Sequence, residues 1–555
     1  MKLRQFPQED RELLPLLLLV QLAPFGIGLF FEWFCALASL VLLGWLAVRV
    51  RREGLCFRLS PGLVASAALL LGLLGGGIWG VDRGAALLGV VKFLPAALFA
   101  LACAALSDAQ RERLLAPLPY FAAGMVLVSV LLGQLPALEA FFYYGGSRLT
   151  GFFQYPNSFA AYLLLGIALS GGRERLGLRE LGCLAVLGLG VALTHSRAVA
   201  ALLGLTLLGL CLLSRDRRKR LLLAALLLVV TGLALYLAVL RGGAAGLLVR
   251  VKADRSLLGR LLFWHDALPV ILRHPLGLGY LGYWFRLGSF QTGAYSAMHA
   301  HNALLELLLD AGWIPAGLFV WATVQGFRRA RRERRVALAA LVLHSLFDFD
   351  MQFVSLLLFL LLLLDTGAGR PVTLRRRAVL PPLAILAALS LWLGTASALY
   401  AFGLPQSAAA LYPGYSQAQL RLLAEATTVP EMEQAADALL SHNSSASLAW
   451  SARARVAFSR GDFAAVIDCK RRAIALSRYS LAEYLDYADM LRIGEQLYTE
   501  GGDTASAVIC REEARRIPSM LDAVLAQTHP LAWQLETPPS LALPADYAWL
   551  SSDVS

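Results

Sequence analysis

The chain has 555 residues, of which 58% are hydrophobic and only 16% charged, and its mean hydropathy is +0.62. A soluble domain of ordinary composition carries about a quarter charged residues, so this balance excludes a soluble globular protein and indicates a polytopic membrane protein. The formal net charge of +12 does not point to nucleic acid, because most Lys and Arg stand in short clusters between apolar runs, where they act as topology signals.

A helical crossing takes about 20 apolar residues. Residues 13–48 are too long for one crossing and read as two, turning near 30–33. Basic residues precede this run, but no small-residue cleavage site follows it, so the first span is expected to be retained rather than removed as a signal peptide. Arg49, Arg51, Arg52 and Arg58 come next, then a span over 61–80, a tight turn at 81–83 and a span ending near Leu106. After Arg111 and Arg113 a fifth span covers 117–135. The polar, aromatic segment 136–158, with SRLTGFFQYPNS, leads into a short sixth span over 159–170. Residues 181–213 form a hairpin of two spans, interrupted at Thr194-His195-Ser196-Arg197. A cluster at 215–220 precedes the ninth span, 221–240, and a long polar loop runs over 241–310. A span over 312–327, the run RRARRERR, spans over 336–347 and 353–364 enclosing Asp348-Phe349-Asp350, and a last span over 378–399 complete the series. The predicted fold is all-α, with about 13 transmembrane helices (roughly 12–14), a large outer loop and a C-terminal helical-repeat domain.

Alternating these spans puts every dense arginine cluster on one side, the cytoplasm by the positive-inside rule. The N-terminus is then cytoplasmic. Segments 136–158, 194–197, 241–310 and 348–350 and the tail are extracytoplasmic. Two domains are expected: residues 1–400 as the membrane domain, with an outer loop at 241–311, and residues 401–555 as a polar helical tail. In the tail, 448–476 reads as two amphipathic helices joined at Gly461-Asp462 and is similar to a tetratricopeptide helix pair; 481–517 gives another. Such repeats bind partners or brace a neighbouring domain, so a protein partner is one expectation for the tail. Cys35, Cys103, Cys183 and Cys211 lie in apolar runs as small hydrophobes, whereas Cys469 and Cys510 stand in the tail.

Chemistry concentrates in AMHAHNALLELLLDAG, residues 297–312, at the end of the outer loop. His299 and His301 precede a short apolar helix pattern on which Asn302, Glu306 and Asp310 share one face. Histidine is the side chain best suited to proton transfer near neutral pH. The outer side also carries Arg148, Arg197, Arg241, Arg250, Lys252, Arg255, Arg260, Arg273 and Arg286, against the positive-inside pattern. Each alone could snorkel to lipid headgroups. Together they suit a phosphate-bearing ligand, since guanidinium groups match phosphate oxygens bidentately. A metal site on His299 and His301 would need a third ligand, and no HExxH or DxD pattern is present on the outer side; no metal or other cofactor is expected. Asp348 and Asp350 could bind a cation, but pairing with an arginine or capping a helix suits them better. No phosphate-cradling Gly-rich loop and no recognisable Ser or Cys nucleophile is present.

These segments resemble the bacterial O-antigen ligase and polymerase superfamily. His301-Asn302, nine residues, then Gly312 match the ligase pattern in type and spacing, with Pro315 in place of the pattern's final residue. GRLLFWHDALPVILRHPLGLGY is similar to the family's Arg-x3-Trp segment and the His-Pro-Leu-Gly that follows it. SRLTGFFQYPNSFAAYL, THSRAVAALL and HSLFDFDMQF are similar to its other elements, in order over roughly residues 60–365. The resemblance implies a metal-independent, inverting glycosyltransferase of the bacterial plasma membrane. The donor would be a glycan on undecaprenyl diphosphate, and the acceptor a hydroxyl on a glycan, glycolipid or cell-wall polymer. On this reading His301 is the base or orients the acceptor. Arg197 and Arg260 hold the diphosphate, with Arg148 as a third. Asn302, Asp310 and Gly312 shape the short helix; Trp264, His274-Pro275 and Asn157 support the loops. A polysaccharide polymerase shares the same donor, and a protein O-glycosyltransferase is a further variant. From another class, a lipid or polysaccharide transporter would place ionisable groups at mid-membrane. Only Lys92 and His344 lie well inside spans, and Lys92 is expected to snorkel.

Overall fold

The structure, a computed structural model, describes residues 8–240, 255–365, 367–535 and 540–551. Arg241, Arg250 and Lys252, counted above among the outer cations, lie outside the described residues. The fold is all-α; among the described residues it is broken by two short antiparallel strand pairs that the sequence did not indicate, Leu55–Leu59 with the distant Arg370–Leu374, and the hairpin of Tyr143–Tyr144 with Arg148–Leu149. Among the described residues, five helices are long and apolar enough to cross a membrane: Glu32–Glu53, Pro61–Trp79, Ala85–Ala105, Asp108–Leu132 and Arg376–Ala401. Other apolar helices, such as Arg197–Leu213 and Val354–Leu364, are shorter. The helix breaks at 195–196 and 346–353 fall where the sequence placed turns, whereas the first break, at 23–31, comes earlier than the turn expected near 30–33, because Glu32 already begins the next helix. Among its described residues the polar loop contains the helices Arg255–Arg273, Gly282–Phe290 and Ala303–Ala311. These helices are amphipathic and lack a run of apolar residues long enough to be read as spans.

The chain forms two compact units, and the first comprises residues 1–74, 88–251 and 301–397. Val354–Leu364 is its centre: every one of its residues is buried. A helix that is apolar all round has no solvent face to offer, so neighbours must enclose it. Leu131, Leu212 and Leu228, each at least 70% exposed, point outward instead, as lipid-facing side chains do. Gly28 shows how tightly the non-helical turn at 26–31 is packed. Its φ is +62°, and a Cβ there would lie 2.8 Å from the rings of Phe153 and Phe353. Only glycine combines that backbone with that contact.

Polar bonds within this unit sort by segment. Arg111 contacts Asp108 and Asp365, Arg334 contacts Glu112, and Arg58 donates to the Gly367 carbonyl. Apart from Arg111–Asp108, which lie in one helix, these join segments that alternation puts on one side. Bonds among residues 148–157, 194, 301 and 348 join loops of the other side.

The second unit comprises residues 75–87, 252–300 and 398–555. From 416 onward the tail is a run of helix pairs: Ser416–Glu425 with Val429–Leu440, Ser447–Ser459 with Phe463–Leu476, and Leu481–Glu500 with Thr504–Ala526. Thr428, Asp462 and Asp503 cap the second helix of each pair by accepting backbone N–H bonds. Gly461 and Gly502 take the left-handed turn before two of those caps. Phe463, Tyr487, Leu491, Ile517 and Leu521 form the core of the last pairs. Cys469 and Cys510 are both buried free thiols. Residues 282–300 pack into this tail at backbone distance. A Cβ on Gly288 would lie 2.0 Å from the Leu476 carbonyl oxygen, and His529 donates to the Thr292 carbonyl at 2.8 Å.

The turn at 81–84 joins the same unit. Arg83 N–H donates to the His442 carbonyl at 3.1 Å, and the Tyr412 hydroxyl donates to the Gly84 carbonyl at 2.6 Å. Asp82, fully buried, accepts from the Ala85 N–H at 3.0 Å. Burial pushes its carboxyl up to about 6. The folded chain therefore holds this proton more tightly than the unfolded chain. Its contribution is present below about pH 4 and is lost as pH rises through about 6, a difference of about 3 kcal/mol. Asp82→Asn is expected to raise the unfolding temperature of the purified protein at pH 7.5 and to leave it unchanged at pH 4. An equal shift at both pH values would count against a buried charge as the cause.

Candidate active site

The site in the first unit is built on two irregular stretches. The first is residues 151–157. Gly151 has φ +57°, and a Cβ there would lie 2.7 Å from the Phe159 ring. Gln154 also adopts the left-handed region, at φ +55°. Tyr155 is then extended, as the residue before a proline must be, and Pro156 starts the helix Pro156–Gly172. The second stretch ends at His301, which has φ +53°. A non-glycine residue in that region costs on the order of 1–3 kcal/mol and persists only where its surroundings hold it. Asn302 supplies part of that hold. Its Oδ1 accepts from Leu304 and Leu305 N–H at 3.0 and 3.1 Å, capping Ala303–Ala311, and its Nδ2 donates to the Leu346 carbonyl at 2.8 Å. At the other end of that helix Gly312 takes φ +88°, which only glycine adopts without strain, and lets Trp313–Arg329 begin at once. The spacing from His301 to Gly312 is therefore one capped helix long.

Asp348 is where these stretches meet. His301 Nδ1 lies 3.1 Å from its Oδ1. The Tyr155 hydroxyl donates to both carboxylate oxygens at 3.0 Å, Asn157 Nδ2 donates to Oδ2 at 2.8 Å, and the Phe349 N–H donates to Oδ1 at 2.9 Å. The carboxylate is almost wholly enclosed, at 2% exposed, while the His301 side chain remains 23% exposed. The Phe349 ring stands edge-on to the imidazole with centroids 4.9 Å apart, and the Tyr155 ring packs on the same Phe349 ring at 4.8 Å. Arg148 extends the network. Its Nη2 donates to Asn157 Oδ1 at 2.9 Å and its Nε to the Thr194 carbonyl at 3.1 Å, the last helical residue before the His195-Ser196-Arg197 turn. Arg197 begins the next helix and is exposed.

A second histidine–carboxylate pair lies nearby in sequence but is sealed. His344 Nδ1 bonds Asp350, whose other oxygen accepts from Ser158 Oγ at 2.7 Å. Both side chains are at most 1% exposed, so this pair joins helices and cannot meet a substrate. The sequence left Asp348 and Asp350 as possible arginine partners or caps; each instead takes a histidine. Lys92, expected to snorkel, is buried, with its ammonium 4.5 Å from the Phe30 ring centroid and Asp310 within electrostatic reach. Asp310 is likewise buried beside Glu306.

Thus His301, Asn157 and Arg148 share one bonded network, with Asn302 and Gly312 shaping it. Arg260 and Trp264 belong to the second unit. There Trp264 Nε1 donates to the Ala300 carbonyl at 2.9 Å, tying Arg255–Arg273 to the residue before His301, and Arg260 Nη1 bonds Ser256 Oγ at 2.5 Å. His274 lies 3.3 Å from Arg286 Nη1; burial, and then the charges of Arg286 and Arg273, hold its imidazole below the usual range. His299 is buried in the same unit. Among the described residues, no three His, Cys, Asp or Glu side chains converge to hold a metal ion. Sequence reasoning assigned no role to Tyr155 and did not pair Asp348 with His301. The signal was present only as the Tyr-Pro-Asn and Asp-Phe-Asp strings, far apart in the chain.

Residues 182–322 match a family model described as O-antigen ligase. That segment contains Arg197, Arg260, Trp264, His301, Asn302, Asp310 and Gly312, and leaves Arg148, Tyr155, Asn157 and Asp348 outside it. No curated protein matches the chain.

Proposed function

Starting from a membrane chain that belongs to the O-antigen ligase superfamily, we propose that it transfers a glycan from undecaprenyl diphosphate to a hydroxyl acceptor on the outer face of the bacterial plasma membrane. The observation that carries this reading is the His301–Asp348 pair: a half-open imidazole held at one nitrogen by an enclosed, donor-ringed carboxylate. With Nδ1–H donated to Asp348, Nε2 is the basic nitrogen. It takes the proton from the acceptor hydroxyl as that oxygen bonds to the anomeric carbon. The bond from that carbon to the diphosphate breaks at the same time, and the lipid diphosphate leaves with the electron pair. Attack from the face opposite the leaving group inverts the anomeric centre. Arg197 and Arg260, with Arg148, stabilise the charge that grows on the diphosphate.

The arginine clusters support this sidedness, and the bonds that join like loops agree with the alternation it assumes. The tail sharing a unit with the 75–87 turn and with residues 252–300 supports an extracytoplasmic tail. A transporter reading finds less support. The two ionisable groups inside spans are engaged in buried packing, His344 with Asp350 and Lys92 with Phe30.

The test is to supply lipid-diphosphate glycan to purified protein and follow both glycosylated product and released lipid diphosphate. One added unit on an acceptor identifies a ligase, and a ladder identifies a polymerase; no released lipid diphosphate refutes transfer. Arg260→Ala and Arg197→Ala are each expected to lower kcat/KM about 10- to 100-fold, the loss of one charge-assisted bond to the leaving group. A donor already hydrolysed to the monophosphate should not distinguish variant from wild type. Chelator at millimolar excess is expected to leave the rate unchanged, and strong inhibition would bring back a metal-assisted mechanism.

A further inference from the structure

The first unit holds an open cavity of about 520 Å³ whose lining includes Gln154, the residue before Tyr155, within the roughly 300–1,000 Å³ of small-molecule sites. It is framed by the helix Pro136–Phe142 and the hairpin that pairs Tyr144 with Arg148. Gly145 and Gly146 turn that hairpin at φ +59° and +68°. The lining combines aromatic faces with uncommitted hydrogen-bonding groups: Glu139, Phe141, Tyr143, Tyr144 and Gln154. Among the described residues, the Glu139 carboxylate and the Gln154 amide make no side-chain bond. Tyr144 is 65% exposed, unusual for so large a ring. The walls behind are fixed. The Phe141 ring packs on Phe142 and Phe152, and Tyr143 sits over Gly133, where a Cβ would lie 2.5 Å from it.

This lining selects a ligand class. No cation lines the cavity and a carboxylate does, so a phosphate or diphosphate would be repelled. A purely apolar ligand would leave Glu139 and Gln154 desolvated without partners. A pyranose satisfies both demands: its C–H face stacks on an aromatic ring, and its hydroxyls donate to carboxylate and amide oxygens.

We propose that this cavity is a saccharide subsite, holding a neutral sugar unit of the donor or acceptor glycan next to the His301 network. It rests on the transfer reading above and adds to it where the glycan is gripped. The register Tyr144↔Arg148 links the two places. One strand of the hairpin lines the cavity, and the other carries the guanidinium that reaches Asn157, the partner of Asp348.

The test uses the full-length protein in detergent with Tyr144→Ala and Glu139→Gln, both at exposed positions. Each is expected to raise KM about tenfold for one substrate while kcat stays within about twofold, the signature of lost ground-state binding. A shift confined to the donor identifies a donor sugar, and one confined to the acceptor identifies an acceptor sugar. Unchanged KM for both substrates overturns the proposal, as does a fall in kcat alone. A second measurement separates it from the transfer reading: direct binding of the oligosaccharide released from the host's lipid-linked donor, free of lipid and phosphate. Wild type and His301→Ala should bind it equally, and Tyr144→Ala about tenfold more weakly. If the wild-type protein transfers nothing yet shows this pattern, the subsite stands and the transfer reading falls; equal binding by all three overturns the subsite.

Discussion

His301→Ala is expected to lower glycan transfer by about 10²–10⁴-fold, the range for a positioned general base, with the protein still inserted and accumulated at wild-type level. The fold around residue 301 does not depend on the imidazole. The capping bonds of this turn come from Asn302, not from the imidazole, and alanine keeps the backbone of residue 301. The substitution removes one bond to Asp348, whose carboxylate keeps Tyr155, Asn157 and the Phe349 N–H. Asp348 therefore stays partnered, and the loss falls on chemistry rather than on a stranded buried charge. His301→Gln serves as the stricter form, since it retains a polar group without a basic nitrogen. Transfer at near wild-type rate in either variant would remove His301 from the role of base.

Asp348→Asn should cost a comparable amount, about 10³-fold in kcat, with little change in KM. An amide at this position is the same size but faces donors on every side. Its oxygen can accept from two of them, while its NH2 confronts the Tyr155 hydroxyl, the Asn157 amide or His301 Nδ1. Where the NH2 meets Nδ1, the imidazole is driven to the tautomer that protonates Nε2, which disables it as a base. The positive charge that forms on the ring as it takes the proton also loses its counter-ion. A purely structural role for Asp348 predicts a different result: lower accumulation and a lower unfolding temperature, with normal turnover per folded molecule. Asp350→Asn provides the internal contrast. It breaks the sealed pair with His344 and should reduce stability, while folded protein that remains turns over normally.

Much of this molecule is legible in the primary structure because the relevant physics is short-range. Apolar runs, arginine clusters and turn residues mark the helices and their breaks within a few residues of where they lie. The tail pairs announce themselves through Gly461-Asp462, a left-handed turn followed by an N-cap. The His301-to-Gly312 spacing is legible for the same reason: it is the length of one helix with an asparagine cap at one end and a left-handed glycine at the other. The helices inside 255–290 were not legible as such, since their amphipathic pattern is shared by polar loops that lie on a surface.

Composition and local pattern by themselves determined an all-α membrane chain, its turns and the histidine-bearing segment. Only the tertiary structure decided which partner each ionisable group takes. His301 and Asp348 are 47 residues apart, and Tyr155 and Asp348 are 193 apart. Nothing in either neighbourhood states that Asp348 will take the half-open histidine and Asp350 the sealed one. That choice depends on how the helices around Val354–Leu364 pack, because a buried carboxylate must find its donors among whatever the packing brings within about 3 Å. The same dependence put residues 75–87 and 252–300 into one unit with the tail, where backbone contact across hundreds of residues sets the grouping.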